Sequence, residues 1–297
     1  MKNRPNPEVL LKKLHKETRG KLTVFLGSMA GVGKTFTMLK SAHDQQSEGK
    51  NIVIGWIETH GRAETEKLVT GLFKVAPLSV RYHENDLLEM DIDAILTLKP
   101  EIVLVDELAH TNVFGSRHVR RYQDVEELLE AGINVYMTVN IQHIESLNDV
   151  VAQITGIIVK ETVPDYVLEE ADTVQLIDIA PENLMQRLRD GKIYIPEQAK
   201  QALKNFFRQG NISALRELAL RFTAQRVDKD LAEYMHDHHI EGPWPAAGRS
   251  SSLPSSPLAC QSRNSGSVRG THFRPPRRAA GRRQTMRSLR RCRGRFP

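Results

Sequence analysis

The chain has 297 residues, enough for one large domain or two ordinary ones, and its 40% hydrophobic and 26% charged content is that of a soluble globular protein. No run of eighteen or more apolar residues is present to span a bilayer as a helix, and Met1-Lys2-Asn3-Arg4-Pro5 lacks the apolar core of a secretory signal, so a cytoplasmic protein is expected. The net charge of +6 averages two unlike parts: residues 249–297 hold 13 arginines and no Lys, Asp or Glu, while the remainder carries 29 basic residues against all 36 acidic ones. Both cysteines, Cys260 and Cys292, fall in that tail, which excludes disulfides and thiolate metal sites from the body.

In chain order, residues 1–20 form a polar lead-in with a helix-compatible stretch at Glu8–Glu17. A strand is predicted over Lys21–Leu26, a helix from Thr35 to about Ser47, and a second strand over Asn51–Ile57. Arg62–Lys74 reads as a helix, Leu78–Tyr82 as a short strand and Leu87–Leu98 as another helix. The continuous apolar run Ile102-Val103-Leu104-Val105, after Glu101, has the composition of a parallel strand covered on both faces. A helix follows at Gln123–Ala131, a strand at Ile133–Val139, a helix at His143–Thr155 and a strand at Thr173–Ile179. This alternation predicts an α/β fold over 21–180, a P-loop NTPase-like parallel sheet flanked by helices. From 181 to 242 the pattern becomes helical, with helices opened by Pro181 and Pro196 and a long one over Ser213–Met235, which predicts a helical appendage. Pro243-Trp244-Pro245-Ala246-Ala247-Gly248 reads as a linker, and the segment 243–297 as linker and disordered tail.

The chemistry concentrates on Gly27-Ser28-Met29-Ala30-Gly31-Val32-Gly33-Lys34-Thr35, between a strand and a helix. Glycines there let successive backbone N–H groups turn inward around phosphate oxygens, and the helix N-terminus adds its dipole. Gly31, Val32, Gly33, Lys34 and Thr35 are therefore expected to hold ATP, with Lys34 on the outer phosphates and the Thr35 hydroxyl on Mg²⁺. The strict pattern wants glycine where Ser28 stands, with Gly27 just before it. Asp106, at the end of an apolar strand, is the expected second Mg²⁺ acid. Glu107 either acts as a general base or only orders the site. Arg117, Arg120 and Arg121 offer either a γ-phosphate contact or a solvated basic loop. In Asn140-Ile141-Gln142-His143, Gln142 is either a γ-phosphate sensor that positions water or a helix cap. His236-Asp237-His238-His239 resembles a metal cluster but lacks further partners in the sequence, and a closed zinc site needs about four ligands.

These residues resemble a known family. Gly31-Val32-Gly33-Lys34-Thr35, Asp106-Glu107-Leu108-Ala109-His110-Thr111-Asn112, Gly115-Ser116-Arg117-His118 and Val139 through Asp149 are similar to the N-terminal cytoplasmic domain of the Kdp-type potassium and osmosensing sensor histidine kinases. The similarity runs from about residue 5 to Gly248, with Phe114 a departure where the family usually has proline. The resemblance implies a regulatory ATP-binding module, Gly31, Gly33, Lys34 and Thr35 matching the Walker A loop and Asp106 the Walker B acid. It further implies that a universal-stress-protein-like domain, four membrane helices and a histidine kinase core follow in full-length members, which sit in the cell inner membrane. In those members the core passes phosphate to a response regulator. None of these later parts is in this sequence. The arginine-rich tail begins where the resemblance stops, which favours out-of-frame translation of a GC-rich gene over a nucleic-acid-binding arm, so no nucleic-acid partner is expected. The alternative function is a free-standing P-loop ATPase or small-molecule kinase.

Overall fold

The computed structural model describes residues 18–83, 85–193 and 207–240. The predicted stretch Glu8–Glu17, the helix opened by Pro196 and the segment 243–297 lie outside the described residues.

Among the described residues, six parallel strands form the main sheet: β1 (Leu22–Gly27), β2 (Ile52–Trp56), β3 (Phe73–Lys74), β6 (Ile102–Val105), β7 (Asn134–Asn140) and β8 (Thr173–Ile177), in the order β3-β2-β6-β7-β1-β8. β4 (Leu78–Tyr82) and β5 (Asn85–Glu89) form a separate antiparallel hairpin. Because neighbouring side chains on a strand point to opposite faces, the inner strands feed two cores. Leu22, Val24, Leu26, Val103 and Val105 enter the larger one, while Phe25, Ile102 and Leu104 enter the other. Each such buried aliphatic or aromatic side chain contributes roughly 1.5–3 kcal/mol.

Helix α1 (Lys34–Ser47) covers the smaller core with Met38, Leu39 and Ala42, a spacing that keeps them on one helical face. The short α2 (Ala63–Val69) packs beside it through Leu68 and Val69. The opposite face of the sheet carries α3 (Ile92–Leu98), α4 (Arg121–Glu130), α5 (Asn148–Thr155), α6 (Asp165–Glu169), α7 (Pro181–Arg189) and α8 (Gln209–Asp237). α8 is pinned by charge as well as by Ile212, Leu215 and Ala219: the Arg216 guanidinium grips Asp178 at 2.6 and 2.8 Å, and Arg226 donates to the Leu168 and Ala171 carbonyls. The predicted α/β sheet with a helical appendage is thus the observed architecture.

Three elements differ from expectation. The helix predicted over Arg62–Lys74 ends at Val69, and Phe73–Lys74 joins the sheet edge against β2. Leu87–Leu98 is two elements: Leu87, Leu88 and Glu89 pair with Val80, Ser79 and Leu78, and helix begins only after Asp91, whose carboxylate accepts from the Ala94 amide at 2.9 Å. A capping acid inside the predicted helix was the available signal. The helix predicted from His143 starts instead as two 3₁₀ turns, Ile141–His143 and Glu145–Leu147, before α5.

Candidate functional site

Strand order decides which loops meet. β7 lies between β1 and β6, so the ends of these three neighbours open side by side at the C-terminal edge of the sheet. That edge is where parallel α/β folds place ligands. A cavity of about 690 Å³ lies there, lined by the loop after β1, the Asp106–His110 segment after β6, Asn140 and His143 after β7, the His60–Thr65 segment and residues at the end of α7.

The loop after β1 turns on two glycines with positive φ, Gly31 at 90° and Gly33 at 108°. Gly33 also starts α1: its carbonyl accepts from the Thr37 amide and hydroxyl at 2.9 and 3.0 Å. Gly27 explains the departure at Ser28. A Cβ on Gly27 would stand 2.6 Å from Val32 and 2.9 Å from the Lys34 stem, so the small residue needed for close approach is Gly27, while Ser28 is simply buried. Lys34 is only 8% exposed. Its Nζ donates to the Met29 carbonyl at 3.1 Å and to Asn140 Oδ1 at 2.5 Å, both neutral acceptors. Burial lowers its pKa from 10.5 to about 8, although Asp106 pulls the other way.

Asp106 closes the opposite side. The Thr35 hydroxyl donates to its Oδ2 at 3.0 Å, while its Oδ1 accepts from the Glu107 amide at 3.1 Å and from the Thr138 hydroxyl. A hydroxyl and a carboxylate in contact are a donor set of oxygen ligands suited to a hard divalent cation that keeps several waters. Glu107 occupies the left-handed region at φ 55°, which is uncommon for a residue with a side chain. Its Oε1 stands 3.6 Å from His60 Nε2, an ion-pair distance that raises the His60 pKa and lowers that of Glu107.

The predicted residues Gly31, Val32, Gly33, Lys34, Thr35, Asp106 and Glu107 all line the same cavity. Gln142 does not; its amide nitrogen lies 3.4 Å from His143 Nε2. Thr138 and Asn140, two apart on β7, reach the site instead, and the chain leaves the strand direction at Ile141. The three arginines after β6 point elsewhere. Arg117 pairs with Asp93 and Glu127 at 2.5 Å each, and Arg120 donates to Thr111 Oγ1 at 2.6 Å. Arg121 is fully buried, pairs with Glu89 at 3.1 Å, donates to the Asp106 carbonyl at 3.3 Å and lies over the Trp56 ring. The cationic side chains that do line the cavity, besides Lys34, are Arg62, Arg187 and Lys192, from segments the motif does not include. Of the His236–His239 cluster, His238 Nδ1 bonds the Tyr234 carbonyl at 2.8 Å and its ring stacks on Tyr234.

A glycine-rich loop, a buried lysine and a strand-end aspartate meet at one edge of a parallel sheet flanked by helices, which makes this an α/β domain by fold. A narrower assignment comes from comparison with known proteins. Residues 18–227 match the family model described as the osmosensitive K⁺ channel His kinase sensor domain, and the chain belongs to that family. It is 51% identical over 242 residues to the sensor protein KdpD of Escherichia coli strain K12, covering 81% of this chain and 27% of that protein. The sensor protein KdpD of Clostridium acetobutylicum is 53% identical over 232 residues, covering 77% and 26%. A putative sensor protein KdpD of Synechocystis is 49% identical, covering 74% of this chain and 60% of that protein. The chain therefore spans about a quarter of the first two relatives and less than two thirds of the third. Among solved structures, a DNA replication initiation factor overlaps with a TM-score of 0.30 at 10% identity, covering 78% of this chain and 66% of that one, too faint a likeness to carry an argument. Among the described residues, no helix is long and apolar enough to cross a membrane.

Proposed function

We propose that this chain is the ATP·Mg²⁺-binding regulatory module of a potassium-responsive two-component sensor, acting ahead of a histidine kinase core and its response regulator. The observation that carries the reading is Lys34. It is a buried cation held by a carbonyl and an amide oxygen, in a cavity-lining loop that turns on two glycines of positive φ. Such a site is complementary to phosphate, whose arrival would add negative charge to what Asp106 supplies. In this reading Gly31, Val32, Gly33 and Lys34 hold the phosphates, and Thr35 and Asp106 hold Mg²⁺, directly or through water. The residues present fit the group: a Cβ at Gly27 would fill space that the Lys34 stem needs.

Titrating the full chain with Mg·ATP tests this. Binding that is lost in Lys34→Ala, with negligible turnover, supports a nucleotide sensor; undiminished binding in Lys34→Ala sinks it. A second reading, a working ATPase, is favoured by one observation, the left-handed Glu107 held at the cavity beside His60. Turnover on the order of 1 s⁻¹ or more, abolished by Glu107→Gln, would bring that reading forward.

A further inference from the structure

The helical extension forms a wall of the cavity. After α7 the chain turns through Gly191 and Lys192 to Ile193, which is buried against the phosphate loop. A Cβ at Gly31 would stand 2.3 Å from Ile193, so Gly31 is glycine for two reasons, its φ of 90° and this approach. Arg62, just before α2, donates to the Ile193 carbonyl at 3.3 Å, and Lys192 stands 3.6 Å from Glu64. Arg187, in the last turn of α7, reaches the loop itself and donates to the Gly31 carbonyl at 3.2 Å.

Arg187 differs from Arg117 and Arg121, and unlike Arg120 it lines the cavity. Arg117 and Arg121 are neutralised by Asp93, Glu127 and Glu89, whereas among the described residues Arg187 makes no ion pair, and its partner is a neutral carbonyl. A guanidinium has five donors in a planar fork that matches phosphate oxygens, and the bond to Gly31 uses one of them. Arg187 also sits near Gly33, where the loop becomes helix: a Cβ there would be 3.7 Å from an Arg187 terminal nitrogen.

We propose that Arg187 is a phosphate-binding residue of this site, supplied in cis by the helical extension, and that it discriminates a nucleoside triphosphate from a diphosphate. The inference rests on the nucleotide-binding reading. Charge is the reason. The loop amides cradle the phosphates common to both nucleotides and Lys34 reaches the outer ones, so the charge that the terminal phosphate adds is met by the motif only in part. Arg187 supplies the matching positive charge, and exchanging the Gly31 carbonyl for a phosphate oxygen shifts α7 relative to the loop. Leu184 and Leu188 of α7 share a core with Ile212 and Leu215 of α8, so the terminal phosphate is read by the extension.

The test compares Mg·ATP and Mg·ADP affinities of the full chain for wild type, Arg187→Ala and Arg187→Lys, with Lys34→Ala as the reference for the site and Arg189→Ala as a control on the same helix. The expected result is about a tenfold or greater loss of ATP affinity in Arg187→Ala, ADP affinity unchanged, partial recovery in Arg187→Lys and no effect of Arg189→Ala. Equal losses for both nucleotides in Arg187→Ala, or no loss, overturn the proposal while a Lys34 dependence keeps the nucleotide site. If wild type binds neither nucleotide, both readings fall together.

Discussion

Lys34 and Arg121 are both buried cations near Asp106, and their surroundings differ in kind. Arg121 is 0% exposed and already neutralised: Glu89 takes one end, the Asp106 carbonyl the other, and the Trp56 ring lies beneath. Glu89 is in turn held from three directions. Burial alone would raise its pKa, but His110, the Val113 amide and Arg121 outweigh that and keep it below the ordinary carboxylate range. Lys34, by contrast, touches only neutral oxygens and faces a cavity. A buried charge that the fold has matched is structure, whereas one that it has matched only in part is a candidate for a ligand of opposite sign, as proposed for Lys34.

That difference is sharpened most by Arg121→Met. It leaves Glu89 buried without its cation, and the expected loss is about 3 kcal/mol, the low end for breaking a buried pair because His110 and Val113 remain. Denaturant unfolding at neutral pH measures it, and a loss under about 1 kcal/mol would break the assignment of Arg121 as a pillar of the fold.

Lys34→Met makes the opposite case. It should abolish nucleotide binding while leaving the free protein as stable as wild type or more so, since a buried charge that Asp106 and Glu107 offset only in part is removed. The pH dependence carries a signature. Between about pH 8 and 10.5 the folded chain has released the Lys34 proton while the unfolded chain still binds it, so stability rises with pH across that window, and Lys34→Met should flatten the rise. A bound phosphate favours the charged lysine, so affinity for Mg·ATP should fall as pH climbs above about 8. Pairing stability curves with affinity titrations at several pH values checks both, and a pH-independent affinity through that range would contradict the role given to Lys34.

The smallest effect concerns Glu107. Holding a non-glycine residue at φ 55° costs on the order of 1 kcal/mol, and glycine's greater freedom in the unfolded chain offsets part of that, so Glu107→Gly should stabilise the chain by less than about 1 kcal/mol. If it destabilises instead, the contact with His60 outweighs the backbone strain, and Glu107 belongs with Arg121 as structure.

Local chemistry by itself determined a good part of this protein. Periods of two and 3.6 residues placed most of the strands and helices, and a glycine-rich turn followed by Lys34 and Thr35 pointed to residues that line the candidate cavity, because hydrophobic alternation and turn chemistry act over a few neighbouring residues. Asp106 was legible for the same reason, as the first charge after an unbroken apolar strand. Where local signals compete, sequence reading fails: Leu87–Glu89 has the leucines of a helix but pairs with β4, since hairpin partners outweigh propensity. Strand order could be settled only by the tertiary structure. With β7 between β1 and β6, Asn140 rather than Gln142 meets Lys34, and Thr138 meets Asp106. The roles of the arginines were likewise a matter of packing, because a guanidinium reads the same in sequence whether it meets Glu89 across 32 residues or the Gly31 carbonyl across 156. Which charge is already matched depends on distance in space, and that is fixed only when the helices close over both faces of the sheet.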